Sequence, residues 1–300
     1  ALSELEAAKQ DLPSDPEVNF LIGLVNRRQG RWDAGLANIR KASHLDPRSG
    51  LYCLEVGTTL AFMRRYEEAR YFVKKSVELA PDQEFAYRVL AQVFWAESGD
   101  LVQARSTMEA MPRRETPSSF QSRTIQCLLE RDYSSALRVL SSAPDELLWR
   151  EPKVLWVGLA HELNGDVDKA RDAYERGREV LTLRLESELA DPWWSHCQLG
   201  LALAHLGDAV GAFREAHLAE ESVPLSKDAV FGSLLAVRVA EVHTAAGDHG
   251  GALDRIEHLM SIPAGFAMSR SILELDPAWD PLRDHPRFQE ILEKYNVAAN

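Results

Sequence analysis

Three observations predict an all-α chain assembled from one repeated helix pair. First, residues 16–49 and 50–83 have equal length and align position by position. Gly23 falls on Gly57, Trp32 on Tyr66, Ile39 on Val73, Ala42 on Ser76 and Pro47 on Pro81. A 34-residue period of this kind marks stacked supersecondary units. Second, "NFLIGLVNRR" and "AGLANIRKASHL" repeat apolar residues at helical spacing, and no stretch alternates as a half-buried strand would. Third, Gly30, Gly165, Gly207 and Gly247 each fall between two such helices. The chain reverses there, and glycine reaches positive φ without penalty.

Subtracting 34 from Gly35, Ile39 and Pro47 gives Ala1, Leu5 and Pro13, so residues 1–15 read as the second helix of a truncated repeat. With no starting Met, this phase implies the C-terminal part of a longer polypeptide. Asp15-Pro16 then opens the first complete pair as an N-cap followed by proline, a pattern repeated at Asp191-Pro192 and, less ideally, at Glu151-Pro152. Residues 16–112 form an N-terminal repeat block. Its third copy, "FAYRVLAQVFWAESGDLVQARSTMEAMP", places Ala91 and Ala104 at the small positions. Residues 110–119, "AMPRRETPSS", are the most loop-like internal run. A middle block, 113–224, carries Tyr133, Ala136 and Leu140, then Gly158, Ala170 and Tyr174, then Gly200 and Ala212. A long helix is expected near 176–190, because no proline intervenes before Pro192. Residues 225–300 hold a last helix pair and a C-terminal segment. One continuous superhelix through all blocks is equally compatible with the pattern.

Small residues at Gly23, Gly57, Gly158 and Gly200, the helix-joining "QGRW" and "RRYEEA", and the closing "LDP" and "LAP" resemble the tetratricopeptide repeat family. The resemblance covers nearly the whole chain. It is strongest in the first two units and weakest over 84–145. It implies antiparallel helix pairs stacked in a right-handed superhelix, with binding of peptides or helices as the usual role and no intrinsic catalysis. The segment "LDPAWDPLRDHPRFQEIL" is similar to the terminal cap of such domains in bacterial signalling proteins of the adenylate cyclase, serine/threonine kinase or winged-helix regulator type. In that cap Trp279, Leu282, Phe288, Ile291 and Leu292 cover the final apolar face, and Pro277, Pro281 and Pro286 forbid helix at its start.

The resemblance implies that the first helix of each pair lines a concave groove. Counting within units assigns Phe20, Leu24 and Arg27, then Leu54 and Thr58, then Phe85, Arg88, Gln92 and Trp95 to it. From the later units come Leu155, Leu159 and Glu162, then Trp194 and Leu201. Such a largely apolar groove suits a helix or a hydrophobic peptide. Family members that grip a C-terminal carboxylate use Lys and Asn. Phe20, Leu24, Glu55, Phe85 and Val89 stand at those places, which argues against that clamp.

The chain has 34 Lys+Arg against 46 Asp+Glu, a net charge of -12, with no basic run suited to phosphates. Nucleic acid and anionic membrane surfaces are therefore not expected partners. No apolar run approaches the ~18 residues of a membrane span, and residues 1–15 do not read as a signal peptide. Cys53, Cys127 and Cys197 are too scattered for a disulfide framework and fit a reducing, cytoplasmic setting, with a parent protein that places the chain outside the inner membrane as the alternative.

No catalytic, cofactor or metal residues are assigned. His243, His249 and His258 lack one-face ligand spacing, and the adjacent His196 and Cys197 diverge on a helix. "GDHGGALD" lacks the Lys-Ser or Lys-Thr of a phosphate loop. The expected function is a noncatalytic protein- or peptide-binding scaffold without cofactors. Two alternatives stand beside it: a self-association scaffold forming a homo-oligomer, and a component of an enzyme or small-molecule-binding module.

Overall fold

The computed structural model describes residues 2–112, 115–187 and 192–296. Ala1, Arg113, Arg114, Asp191 and the 188–190 end of the expected long helix lie outside them. The described residues are helical, with no strand and one isolated bridge between Glu146 and Pro152. Contacts group the chain into two compact units. The first comprises Ala1–Arg113, Pro224–Ser233 and Ile262–Ser269; the second comprises Arg114–Val223, Leu234–Ser261 and Arg270–Asn300.

In the first unit, α1 (Leu2–Asp11) precedes the pairs α2 (Pro16–Arg28) and α3 (Trp32–Leu45), α4 (Gly50–Phe62) and α5 (Tyr66–Leu79), and α6 (Glu84–Ser98) and α7 (Leu101–Glu109). Asp15 caps α2 by accepting from the Val18 amide at 3.0 Å, with Pro16 in the first turn. Ser49 does the same for Tyr52 at the start of α4. The pairs meet closely. A Cβ on Gly57 would lie 2.4 Å from Val73 Cγ2 and 3.0 Å from the Ala69 carbonyl. The small residue in the repeat is thus a packing requirement. Ile39, Cys53, Leu54, Val56, Leu60 and Val73 are fully buried between these helices.

The second unit contains α8 (Pro117–Leu129), α9 (Tyr133–Ser141), α10 (Lys153–Leu163), α11 (Val167–Leu185), α12 (Pro192–His205), α13 (Ala209–Ser222), α14 (Phe231–Ala245, from Leu234 onward in this unit) and α15 (His249–Ser261). The longest is α11, at 19 residues. One core joins Leu155, Tyr174, Leu181, Cys197, Ala212, Leu235 and Val239; another joins Phe120, Cys127, Leu140, Leu147 and Trp156. The expected cap at Glu151 is not one. Pro152 occupies the N-cap position with no side-chain cap bond, and the Glu151 carboxylate instead turns inward to accept from Gln121 and Trp156.

Every turn from a first to a second helix ends in a left-handed residue: Gly30, Arg64, Gly99, Arg131, Gly165, Gly207 and Gly247. The following amide returns to the first helix, as in Arg31 to the Asn26 carbonyl and Arg65 to the Leu60 carbonyl, both at 2.9 Å. Two of these positions hold arginine, at φ 59° and 61°. An L side chain there costs about 1–2 kcal/mol.

The end of the chain adds α16 (Arg270–Leu275), a 3-10 helix (Pro277–Leu282) and α17 (Pro286–Lys294). The proline run is therefore not free of helix. Pro277 sits in a first turn where its missing N–H is not needed, and Asp276 caps that turn by accepting from Ala278. Trp279, Leu282, Phe288, Ile291 and Leu292 are all buried, and Arg287 ties α17 to Asp254 and Glu257 of α15.

Candidate functional site

The 34-residue register sets rows of side chains along α2, α4 and α6. Phe20, Leu54, Arg27, Thr58 and Trp95 are buried. Their helices' neighbours cover them: Phe20 packs on Tyr52, Arg27 pairs with Glu55 at 2.8 Å and donates to Thr59 at 2.9 Å, and Thr58 donates to the Leu54 carbonyl. Leu24, Arg88 and Gln92 are half-buried, and Phe85 is 38% exposed. Leu21 and Leu51, at 38% and 43%, are also exposed on these first helices.

Arg88 stands out among them. Its guanidinium lies 4.5 Å over the Phe85 ring, and its Nε is buried with no acceptor among the described residues. Burial pushes its pKa down to about 10, against the favourable field of Glu84. A charged donor withdrawn from water without an acceptor is costly.

Beside it, the first unit holds an irregular segment of its own chain, residues 262–269. Arg64 donates to the carbonyls of Ile262 at 2.5 Å and Met268 at 3.0 Å. The Tyr66 hydroxyl donates to Gly265 and the Gln92 amide to Phe266, both at 2.9 Å. The Gly265 amide in turn donates to the Phe62 carbonyl, and Phe266 stacks on Phe62 at 5.2 Å. Sequence reasoning named Gln92 only as a groove residue and did not connect it, Arg64, Tyr66 or Phe266 with this segment. The available signal was Arg64 standing where the previous repeat has Gly30.

In the second unit, Leu155 and Trp194 are buried, while Leu159 and Leu201 are half-buried. Glu162 is exposed yet engaged, bonded to His205 at 2.8 Å and to the Tyr174 hydroxyl at 2.7 Å. Burial alone would raise its carboxyl, but these two partners hold it below the usual range. Trp194 packs against Trp149 and Trp193, with Arg238 5.9 Å from its ring. Arg238 also reaches Glu241 at 2.8 Å and Glu151 at 3.4 Å. Burial raises the pKa of both carboxylates, opposed chiefly by Arg238. This ion cluster was also missed, because Glu151 precedes proline and looks like a cap.

The histidines and cysteine weighed in the sequence for catalysis or metal are otherwise placed. Cys197 is buried and its thiol pushed well up by burial, while His196 turns to Glu215 at 2.6 Å. His243 pairs with Asp248 at 2.8 Å. Among the described residues no group of three or more His, Cys, Asp or Glu could hold a metal ion, and no helix is long and apolar enough to cross a membrane.

Comparison with solved structures finds similar chains. A chain of the crystal structure of the APC/C hetero-tetramer Cut9–Hcn1 is similar with TM-score 0.51 and 16% identity, over 98% of this chain and 52% of that one. This chain thus spans about half the length of that relative. A tetratricopeptide repeat protein from Parabacteroides merdae ATCC 43184 gives TM-score 0.39 and 12% identity, over 98% and 90% of the two chains. A chain of the Naa15/Naa10 structure bound to HypK-THB gives 0.36 and 14%, over 98% and 55%. No protein-family model matches the sequence, and no curated protein does. Together with the helix pairs, the Cut9–Hcn1 likeness puts this chain in the all-α, tetratricopeptide-like class of helix-pair solenoids.

Proposed function

We propose that the chain is a noncatalytic scaffold that binds a protein or peptide on its first-helix face. The reading is carried by Arg88, a half-buried guanidinium seated on Phe85 whose buried Nε has no acceptor among the described residues. A partner's carboxylate or carbonyl would complete it, with Leu24 and Phe85 supplying apolar contact. The similarity of "LDPAWDPLRDHPRFQEIL" to terminal caps of signalling proteins supports a sensor or docking role within a larger bacterial regulator. Three buried cysteines outside any disulfide support a cytoplasmic setting.

The test is capture from native lysate by the chain beside Phe85→Glu and Arg88→Ala variants of equal helicity. A protein retained by the parent and lost from both variants is expected; equal retention by all three contradicts the assignment. Self-association is the second reading, because α1 buries no side chain and Leu12 is 53% exposed. A mass that rises with concentration and reverts in a Leu12→Glu variant would favour it.

A further inference from the structure

We infer that residues 262–269 act as a resident ligand, and that the site made by Phe62, Arg64, Tyr66 and Gln92 takes an uncharged, turn-forming peptide of a partner with Gly-aromatic at its tip. The inference rests on the peptide-binding reading and names the peptide chemistry. The site grips main chain. Arg64, Tyr66 and Gln92 all donate to backbone carbonyls of the segment, and the Phe62 carbonyl accepts one of its amides. Contacts of that kind hold any chain able to adopt the same path, as in peptide recognition generally.

Selectivity comes from two residues of the segment. A Cβ on Gly265 would lie 2.4 Å from Arg64 Cγ and 2.6 Å from the Ala61 carbonyl, so the site admits only glycine there. Phe266 then places its ring on Phe62. The segment forms its own turn, with the Ala264 carbonyl accepting from Ala267 and Met268. It contains no charged residue, and Met268 is fully buried. Arg64 spans the turn and holds both ends, from the one backbone position where the first two repeats exchange glycine for arginine. A strained residue kept at a ligand clamp is the pattern expected of a functional site.

Because the segment is tethered, its effective concentration is on the order of millimolar, and a free peptide competes poorly with it. The probe is a fluorescein-labelled peptide of residues 261–270, "SIPAGFAMSR", read by anisotropy. The Gly265→Val chain, its own segment expelled, is expected to bind the probe at least tenfold more tightly than the unmodified chain. Adding Gln92→Ala is expected to cost at least tenfold, and a probe carrying Phe266→Ala to bind no better than a scrambled one. A Gly265→Val chain with unchanged far-UV circular dichroism that ignores the probe, or binds it regardless of Gln92, overturns the inference. Should that variant lose its helices, hydrogen exchange in the unmodified chain decides. Exchange of the Gly265 amide at least 100-fold faster than the α4 interior supports local release; exchange together with α4 overturns it. Failure here alongside intact Arg88-dependent capture leaves the scaffold reading standing.

Discussion

Replacing Arg64 by glycine separates a clasp from a tolerated accident. Arg64 sits at φ 59°, where the equivalent turn position of the first repeat is Gly30. If the side chain did nothing, glycine would relieve about 1 kcal/mol of left-handed strain and the protein would gain stability. Against this stand two hydrogen bonds from a guanidinium to the carbonyls of Ile262 and Met268, both part-buried. Bonds from charged donors contribute about 1.5–3 kcal/mol each, and the lower end suits their partial exposure. The two bonds sum to about 3 kcal/mol. The relieved strain of about 1 kcal/mol offsets this in global stability, which falls by about 2 kcal/mol, but it is present whether the segment is bound or open and cancels in local release. Opening of the 262–269 segment should therefore become on the order of 100-fold more favourable. Amide exchange at Gly265, compared between Arg64→Gly and the parent, measures this directly. Unchanged or slower exchange in the variant would refute the clasp.

Three further outcomes follow from the same reasoning. Arg131→Gly regains similar strain, but its partner Asp280 and Arg131 itself are 37% and 38% exposed, so the pair contributes at most about 1 kcal/mol. Its urea midpoint should stay near that of the parent, and a loss as large as that of Arg64→Gly would contradict the account. Arg88→Leu removes a guanidinium lacking an acceptor for Nε, so stability should hold or rise while partner capture falls; a destabilisation above about 1 kcal/mol would mean that the native fold needs the charge. Burial, with Glu241 adding, pushes Asp276 up to about 6, opposed by the Ala278 amide, Arg238 and Arg131. A carboxyl raised on folding lends stability in full below its unfolded pKa of ~3.9 and loses that contribution as pH rises through about 6. The second unit should thus resist urea better at pH 5 than at pH 7.5, and Asp276→Asn should flatten that slope; an identical slope in the variant would remove Asp276 as its cause.

The helix pairs were readable because their requirement is local. Gly23 and Gly57 recur where α2 meets α3 and α4 meets α5, and the aromatic at Trp32 and Tyr66 marks each second helix. The apolar end was readable too, since Trp279, Leu282 and Phe288 stand as isolated large apolar residues among charged ones, and all three are buried. Which first-helix residues stay accessible was not. Leu54 and Phe85 are both apolar first-helix residues, but Phe85 shares its register position with Leu51, 43% exposed, whereas Leu54 is fully covered, a difference that apolar character alone does not show. The 262–269 site was hidden by distance: Arg64 meets Ile262 across 198 positions, which no local pattern encodes. Glu151 misled for a different reason. A carboxylate before proline matches a cap, and only the placement of Gln121, Trp156 and Arg238 turns it inward.

The central claim, that the first-helix face receives a partner, is tested most directly by site-specific photocrosslinking in cells. A photoreactive residue replaces either Phe85 on α6 or Tyr71 on α5, the latter 63% exposed on a second helix. The account predicts an adduct with a second protein from position 85, lost in an Arg88→Ala background, and none from position 71. Adducts from position 71 alone, or equally from both, would contradict it.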